Sequence, residues 1–387
     1  MNLSLHPMPL ARVGIIGGGQ LGRMMSQRAK KLGCHVVVLD PTPDSPAGQV
    51  SMRQVIGSFE DPERIRELAE MCDVTTYDIE HIHTETLKTL AAEGHRVVPS
   101  PALLDLIQDK LSQKELFETH GLPTPRFERM DAPDAGAMAA FGYPLVQKAR
   151  RGGYDGRGVM IHRGPEDFPN ALPDPSLIEE AVELEKELAV MVARNANGEI
   201  KSFPVVEMTF DPRANLLDLL LSPARIEPQL ARDAQELALE TVRALDGEGI
   251  FGIELFLSKS GRLFVNEVAP RPHNSGHHTI EACITDQFEQ HFRAILNLPL
   301  GATDQLCPAV MLNLLGEEGY RGEVIVEGMQ EVLAMAGVSV HLYGKKETRP
   351  YRKMGHVTIL DADLDRAREK AERVKRTLRI LGKERME

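Results

Sequence analysis

The chain has no tryptophan, only 5% aromatic residues and four cysteines, Cys34, Cys72, Cys283 and Cys307, in 387 residues. No two cysteines stand as C-x-x-C, so neither a zinc ribbon nor a disulfide framework is indicated; free thiols in a reducing cytoplasm are the expectation. No apolar run is long enough to cross a bilayer. The opening MNLSLHPMPLAR lacks a basic start followed by an apolar core, so no secretory signal is expected. Positive charge is also short. The formal net charge of −12 argues against a general nucleic-acid binder, yet leaves room for a local basic pocket. What remains is ordinary for a globular protein, 42% hydrophobic and 26% charged. The length predicts two or three domains.

Residues 12 to about 108 alternate strand and helix. Val13–Ile16, Val36–Leu39, Val74–Tyr77 and Arg96–Val98 read as strands. Gln20–Leu32, Asp61–Met71 and Thr84–Ala92 read as helices, the second opened by Asp61-Pro62. Such alternation predicts a parallel sheet with ligands beyond the strands' C-terminal ends. There stand the loop GIIGGGQLG and the cluster Tyr77-Asp78-Ile79-Glu80. Gly17, Gly19 and Gly22 fit G-x-G-x-x-G, and the next strand ends in Asp40, which on paper is a dinucleotide fingerprint. Pro123, Pro125 and Asp131–Asp134 read as a linker. Beyond it come a strand at Tyr143–Lys148 and a hairpin of Leu188–Arg194 with Glu199–Val206 across Asn195–Gly198. Helices are expected at Gln229–Leu245 and Thr279–Leu296, and a strand at Ala309–Leu315. Leu364, Ala367, Ala371, Val374, Leu378 and Leu381 step by three and four and predict one amphipathic helix.

Five stretches carry chemistry. In FGIELFLSKSGRLFVNEV, a two-residue Ser260-Gly261 turn pairs Lys259 with Arg262 and, five steps out, Glu254 with Glu267. Opposed like charges destabilise a sheet, and between apolar neighbours they need a cation; magnesium shared with phosphate oxygens fits best. RRGGYDGRG, after the strand ending at Lys148, has four glycines and three arginines suited to phosphate, with Asp155 among them. Ser176–Val182, with Glu187 beyond, is placed to hold an adenine edge by backbone groups and ribose hydroxyls by Glu187. NEVAPRPHNSGHH offers three histidines, but its carboxylate partners and lack of cysteine disfavour zinc. GKKETRPYRKMGH puts five basic residues in an acidic chain and suits a small phosphate ester.

Taken together, GIIGGGQLGRMM, TYDIEHI, QKARRGGYDGRGVM, SPARI, NEVAPRPHNSGHHTIEAC and GKKETRPYRKMGH resemble the ATP-grasp superfamily and, within it, the 5-(carboxyamino)imidazole ribonucleotide synthetases of purine biosynthesis. The resemblance implies a mixed α/β and α+β ATP-grasp architecture. Residues 1–108 would form a Rossmann-like domain holding no dinucleotide, 109–303 the ATP-grasp domain, and 304–387 a small C-terminal α/β domain. It implies that ATP, bicarbonate and 5-aminoimidazole ribonucleotide react through carboxyphosphate. Lys110, Lys148, Gly153, Tyr154, Asp155, Gly156, Arg157 and Gly158 would hold ATP phosphates. Glu179, Glu180, Ala181, Val182 and Glu187 would hold its adenine and ribose, with Asn266 and Glu267 beside them. Glu254 and Glu267 would bind Mg2+. Gly19, Gln20, Leu21, Glu80, Tyr154, Arg271, His273, Asn274, Lys345, Arg352 and Lys353 would meet the ribonucleotide or bicarbonate. Asp155 and Lys345 would transfer protons. A cytoplasmic homodimer is implied, with no nucleic-acid or membrane partner.

Three departures from the family pattern stand out. Ala269 replaces the Asn of a common Glu-x-Asn; Asn266 would stand in, although strand alternation turns it to the opposite face from Glu267. Met208-Thr209-Phe210 replaces a segment that often carries Asn and His. Tyr351 stands where glycine is common. The alternatives left open are a formate-using glycinamide ribonucleotide transformylase, a nicotinamide oxidoreductase and a non-enzymatic binding module.

Overall fold

The structure is a computed structural model that describes residues 11–153, 158–211 and 216–386. Tyr154, Asp155, Gly156 and Arg157 lie outside the described residues.

The N-terminal sheet is parallel, in the order Arg53–Ile56, His35–Asp40, Arg12–Ile16, Val74–Tyr77. Its strands are apolar on both faces because both are covered. Along the Arg12–Ile16 strand, Val13 and Ile15 enter one core and Ile16 the other. The core of Ile16, Leu39 and Tyr77 packs against Ile65, Leu68, Leu87 and Leu90 of the helices Pro62–Glu70 and Thr84–Ala92. Asp61 caps the first of these, accepting the N–H groups of Glu63 and Arg64. The opposite core takes Met24 and Met25 from helix Gln20–Lys31, and Phe288, Phe292 and Ile295 from helix Gln287–Ile295, far along the chain.

Several expectations are corrected. Arg96–Val98 makes only one bridge, Thr75 with Val97, and the edge strand Arg53–Ile56 was not anticipated. Within the expected linker, Phe127–Met130 is a strand on Ser176–Glu180, in a small antiparallel sheet with Leu145–Ala149 and Val159–His162. Four residues between prolines are too few for their pattern to announce a strand. The expected strand Glu199–Val206 is two, Ile200–Ser202 and Val206–Asp211. The expected helix Thr279–Leu296 is broken: Thr279–Ala282 ends at Cys283, and Gln287–Ile295 restarts where Asp286 accepts the N–H groups of Phe288 and Glu289. The C-terminal helix, Leu364–Thr377, buries Ala367, Ala371 and Val374 as its spacing predicts. It stops at Leu378, however, and Leu381 lies in a following strand, Arg379–Arg385, paired with Tyr320–Glu327.

Among the described residues, the largest sheet has nine strands and crosses the expected boundary at 304. Leu216–Ser222 pairs with Ala309–Leu315, which pairs in turn with Lys353–Leu360. The C-terminal segment thereby extends the central sheet, and backbone hydrogen bonds fix where its basic loop stands.

Candidate active site

The hairpin Gly249–Ser258 with Leu263–Ala269 does oppose Glu254 to Glu267, but by another route than the expected one. The turn is longer than two residues: Ser258 N–H donates to Arg262 O at 2.9 Å, and Leu257 pairs with Leu263. Continued regularly, that register would set Glu254 against Asn266. A bulge between Leu255 and Glu254 leaves Asn266 as the extra residue and restores the glutamate pair. The bulge also corrects the expected facing of Asn266. Its Oδ1 accepts from Lys148 Nζ at 2.9 Å, while Lys110 Nζ bonds Glu267, so both side chains meet lysines on one side. Lys110 opens the helix Lys110–Thr119, capped by Asp109, and Lys148 comes from the small antiparallel sheet. The cleft therefore lies between two sheets.

Loss of water and the neighbouring Glu267 and Glu187 push the Glu254 carboxyl up, whereas Lys110 holds that of Glu267 down. Two opposed carboxylates of which one resists ionisation suit a dication. Among the described residues, no group of three or more His, Cys, Asp or Glu side chains could hold a metal ion. The donor set fits magnesium that takes its remaining ligands from phosphate and water. Deeper, Glu179 is buried between Lys148 and Lys114, whose Nζ is 3.1 Å away. Burial, then the neighbouring cations, push Lys114 down to about 8. The glutamate side chain is thus spent on lysines. Along the same run, Glu180 N–H donates to Arg126 O and Ala181 N–H to Pro144 O. Those two N–H groups are thus already engaged within the protein. A cavity of about 490 Å³ borders Glu187 and is walled by Met208, Thr209, Phe210 and Arg225.

The glycine loop packs on internal carboxylates. A Cβ on Gly17, at φ +113°, would fall 1.5 Å from Asp78 Oδ1. Asp78 is buried beneath the loop, and its Oδ2 accepts Gly22 N–H at 2.8 Å. The positive end of helix Gln20–Lys31 therefore already faces an internal carboxylate. Asp40, the acid that would hold a ribose, instead accepts Gly18 N–H at 2.9 Å and Thr42 N–H at 2.8 Å. Burial pushes Asp78 up to about 6 despite the N–H groups of Gly22 and Gly19 and the Arg271 guanidinium.

The remaining expected residues gather around this floor. Glu80 and Arg271 form an ion pair at 2.9 Å, joining the N-terminal unit to the segment leaving the hairpin. His273 Nε2 stands 3.6 Å from Glu254 Oε1. Asn274 Oδ1 is buried without a partner in the described structure. Lys345 Nζ donates to Lys353 O at 2.6 Å; burial, then Arg352 and Lys353, push it down to about 8, while Asp78 pulls the other way. Arg352 donates to Glu347 O at 2.6 Å. Tyr351 has φ +62°, the left-handed region that glycine enters without strain. Arg150, counted among the phosphate-binding charges, is spent on Asp109.

Residues 10–108 match the ribonucleotide synthetase pre-ATP-grasp domain, 115–288 the ATP-grasp domain, and 309–370 the phosphoribosylaminoimidazole carboxylase C-terminal domain. The N5-carboxyaminoimidazole ribonucleotide synthase of Synechococcus elongatus is 40% identical over 358 residues, covering 91% of this chain and 90% of that one. The chain belongs to the N5-carboxyaminoimidazole ribonucleotide synthase family of ATP-grasp ligases. The chloroplastic phosphoribosylaminoimidazole carboxylase of Vigna aconitifolia is 39% identical over 361 residues, 91% of this chain; the match spans only 64% of the plant protein's length. The synthetase structure from Thermotoga maritima superposes at a TM-score of 0.90 with 54% identity, over 96% of this chain and 100% of that one. That of the Aspergillus clavatus synthase, in complex with ADP and 5-aminoimidazole ribonucleotide, gives 0.87 with 34% identity, over 95% and 98%.

Lys114 escaped the sequence reading altogether, and Asp78 figured there only as a member of its polar cluster. Asp78 carried a signal, an acid ending the strand beside the glycine-loop strand. Lys114 carried none, since a lysine inside a helix is ordinarily solvated.

Proposed function

We propose that this chain uses ATP and bicarbonate to carboxylate the exocyclic amine of 5-aminoimidazole ribonucleotide, in de novo purine biosynthesis. The observation that carries this reading is the opposed Glu254–Glu267 pair, with Lys110 and Asn266–Lys148 on the same side. A bicarbonate oxygen attacks the γ-phosphorus of ATP and displaces ADP. The substrate amine then attacks the carboxyl carbon of carboxyphosphate, or carbon dioxide released from it, phosphate leaves, and the amine proton passes to a base. Phosphoryl transfer needs chiefly positioning and charge neutralisation. Lys110 exchanges its carboxylate partner for phosphate oxygens, Lys148 reaches them while Asn266 Oδ1 holds its ammonium in place, and Glu187 and Val182 take the nucleoside end. Glu254 and Glu267 would hold Mg2+, which neutralises charge on the phosphates. Arg271, Arg352 and Lys353 hold bicarbonate or the ribonucleotide phosphate. Because Asp78 already occupies the helix N-terminus, Gly19, Gln20 and Leu21 line the floor under an uncharged part of the substrate. Lys345 and Asp155 are the proton-transfer groups. The same reading makes the protein a cytoplasmic homodimer.

The test is transfer of labelled bicarbonate carbon to 5-aminoimidazole ribonucleotide, dependent on ATP and magnesium and lost in Glu267→Gln. ATP turnover that needs formate, with no label fixed, would defeat the proposal.

A further inference from the structure

Behind the lysines of the nucleotide cleft lies a buried charge cluster. The side chains of Glu179, Lys114 and Lys148 are only 2%, 3% and 10% exposed, so little water screens the charges between them. The Glu179 carboxylate bonds Lys148 through Oε1, and its Oε2 lies 3.1 Å from Lys114 Nζ. Burial pushes the Glu179 carboxyl up, but Lys148 and then Lys114 overcome it and hold it below the usual carboxylate range. The carboxylate is therefore ionised. Lys114 is charged at about pH 7, because its ammonium gives way only at about 8. Two ammonium groups against one carboxylate leave the cluster with a net positive charge.

The three charges are not equally placed. Lys114 stands four residues after Lys110 and so shares its helix face, but it is more deeply buried. Its Nζ donates to Thr124 Oγ1 at 2.7 Å, and that hydroxyl donates to Val265 O at 2.9 Å, two residues before Glu267. Lys148 is the least buried of the three and also donates to Asn266 Oδ1 at 2.9 Å, beside Glu267. If Glu179 faced Lys148 alone, the two charges would cancel, and the pair would offer a phosphate no net attraction. Lys114 draws on the same carboxylate from the side away from Asn266 and leaves the positive charge at Lys148 uncancelled.

We propose that Lys114 is a positioning residue for nucleotide binding: by sharing the Glu179 carboxylate it keeps the charge of Lys148 available to the ATP phosphates. The proposal rests on the function proposed above, which puts those phosphates at Lys148.

The experiment measures the affinity of the intact protein for magnesium–ADP by calorimetric titration at about pH 7, and for adenosine by competition against it. The ratio of the two affinities isolates the phosphate end, since misplacing the nucleoside end weakens both ligands alike. In Lys114→Met the ratio is expected to fall about tenfold, because Glu179 then offsets Lys148 alone in a poorly screened site. Adding Glu179→Gln to that variant removes the offsetting charge, and the ratio should return to within about threefold of wild type. A ratio unchanged in Lys114→Met, or a combined variant as low as the single one, overturns the proposal. Should either Lys114 variant bind neither ligand and so be misfolded, Glu179→Gln with both lysines kept decides. A ratio no lower than that of wild type upholds the proposal, and a lower one overturns it. Wild-type protein that binds no magnesium–ADP overturns the function reading and this proposal with it.

Discussion

At the scale of single residues, the site is built from groups held against their own preference. Asp78 is the clearest. Its carboxyl is raised to about 6, chiefly by loss of water, and Oδ1 has no hydrogen-bond partner in the described structure. A group whose folded pKa lies above its unfolded value of 3.8 costs nothing while protonated in both states and costs most above the folded value. Stability should therefore fall as pH rises from about 4 to about 6, by about 2–3 kcal/mol from this residue. Asp78→Asn keeps an acceptor for Gly22, and should raise Tm near pH 7.5 while giving no gain near pH 4. An equal Tm change at both pH values would show that the charge is not what costs. The same variant should lose activity, because Asp78 supports the loop and lies close enough to Lys345 to favour its ammonium form.

At the scale of the element, one bulge decides the carboxylate hairpin. The expected two-residue turn and the observed longer one differ by one residue, and the bulge at Asn266 compensates. The glutamate pair was thus legible in the sequence as a pair, because strand length and apolar flanks constrain register. The facing of Asn266 was not, because alternation holds only in a regular strand. Asn266→Ala removes the hydrogen-bonded partner of Lys148. It should raise KM for ATP about tenfold, the effect of losing one charge-assisted hydrogen bond, with KM for the ribonucleotide changed less than about twofold. Steady-state kinetics with each substrate varied in turn checks this; an unchanged KM for ATP would return Asn266 to a purely structural role.

At the scale of the whole molecule, the parts named by sequence do not stand alone. Helix Gln287–Ile295 belongs by chain position to the central part, yet Phe288, Phe292 and Ile295 complete the core beneath the N-terminal sheet. Lys31–Glu289 and Arg28–Asp286, at 2.6 and 2.7 Å, close the same joint. Phe292→Ala should cost about 3–5 kcal/mol. It should lower Tm of the N-terminal and central parts together, seen as one calorimetric transition; a second transition left at the wild-type temperature would show separate units. By itself the sequence determined the alternation of the N-terminal strands and helices, the glycine loop, the acidic hairpin and the basic loop, because these rest on short-range periodicity and turn chemistry. Only the tertiary structure decided that Asp78 fills the helix terminus, that Glu179 is spent on Lys114 and Lys148, and that Glu80 meets Arg271. Those pairings are set by burial between segments far apart in the chain, where an unpaired charge is too costly to leave, and no local pattern records which partner will arrive.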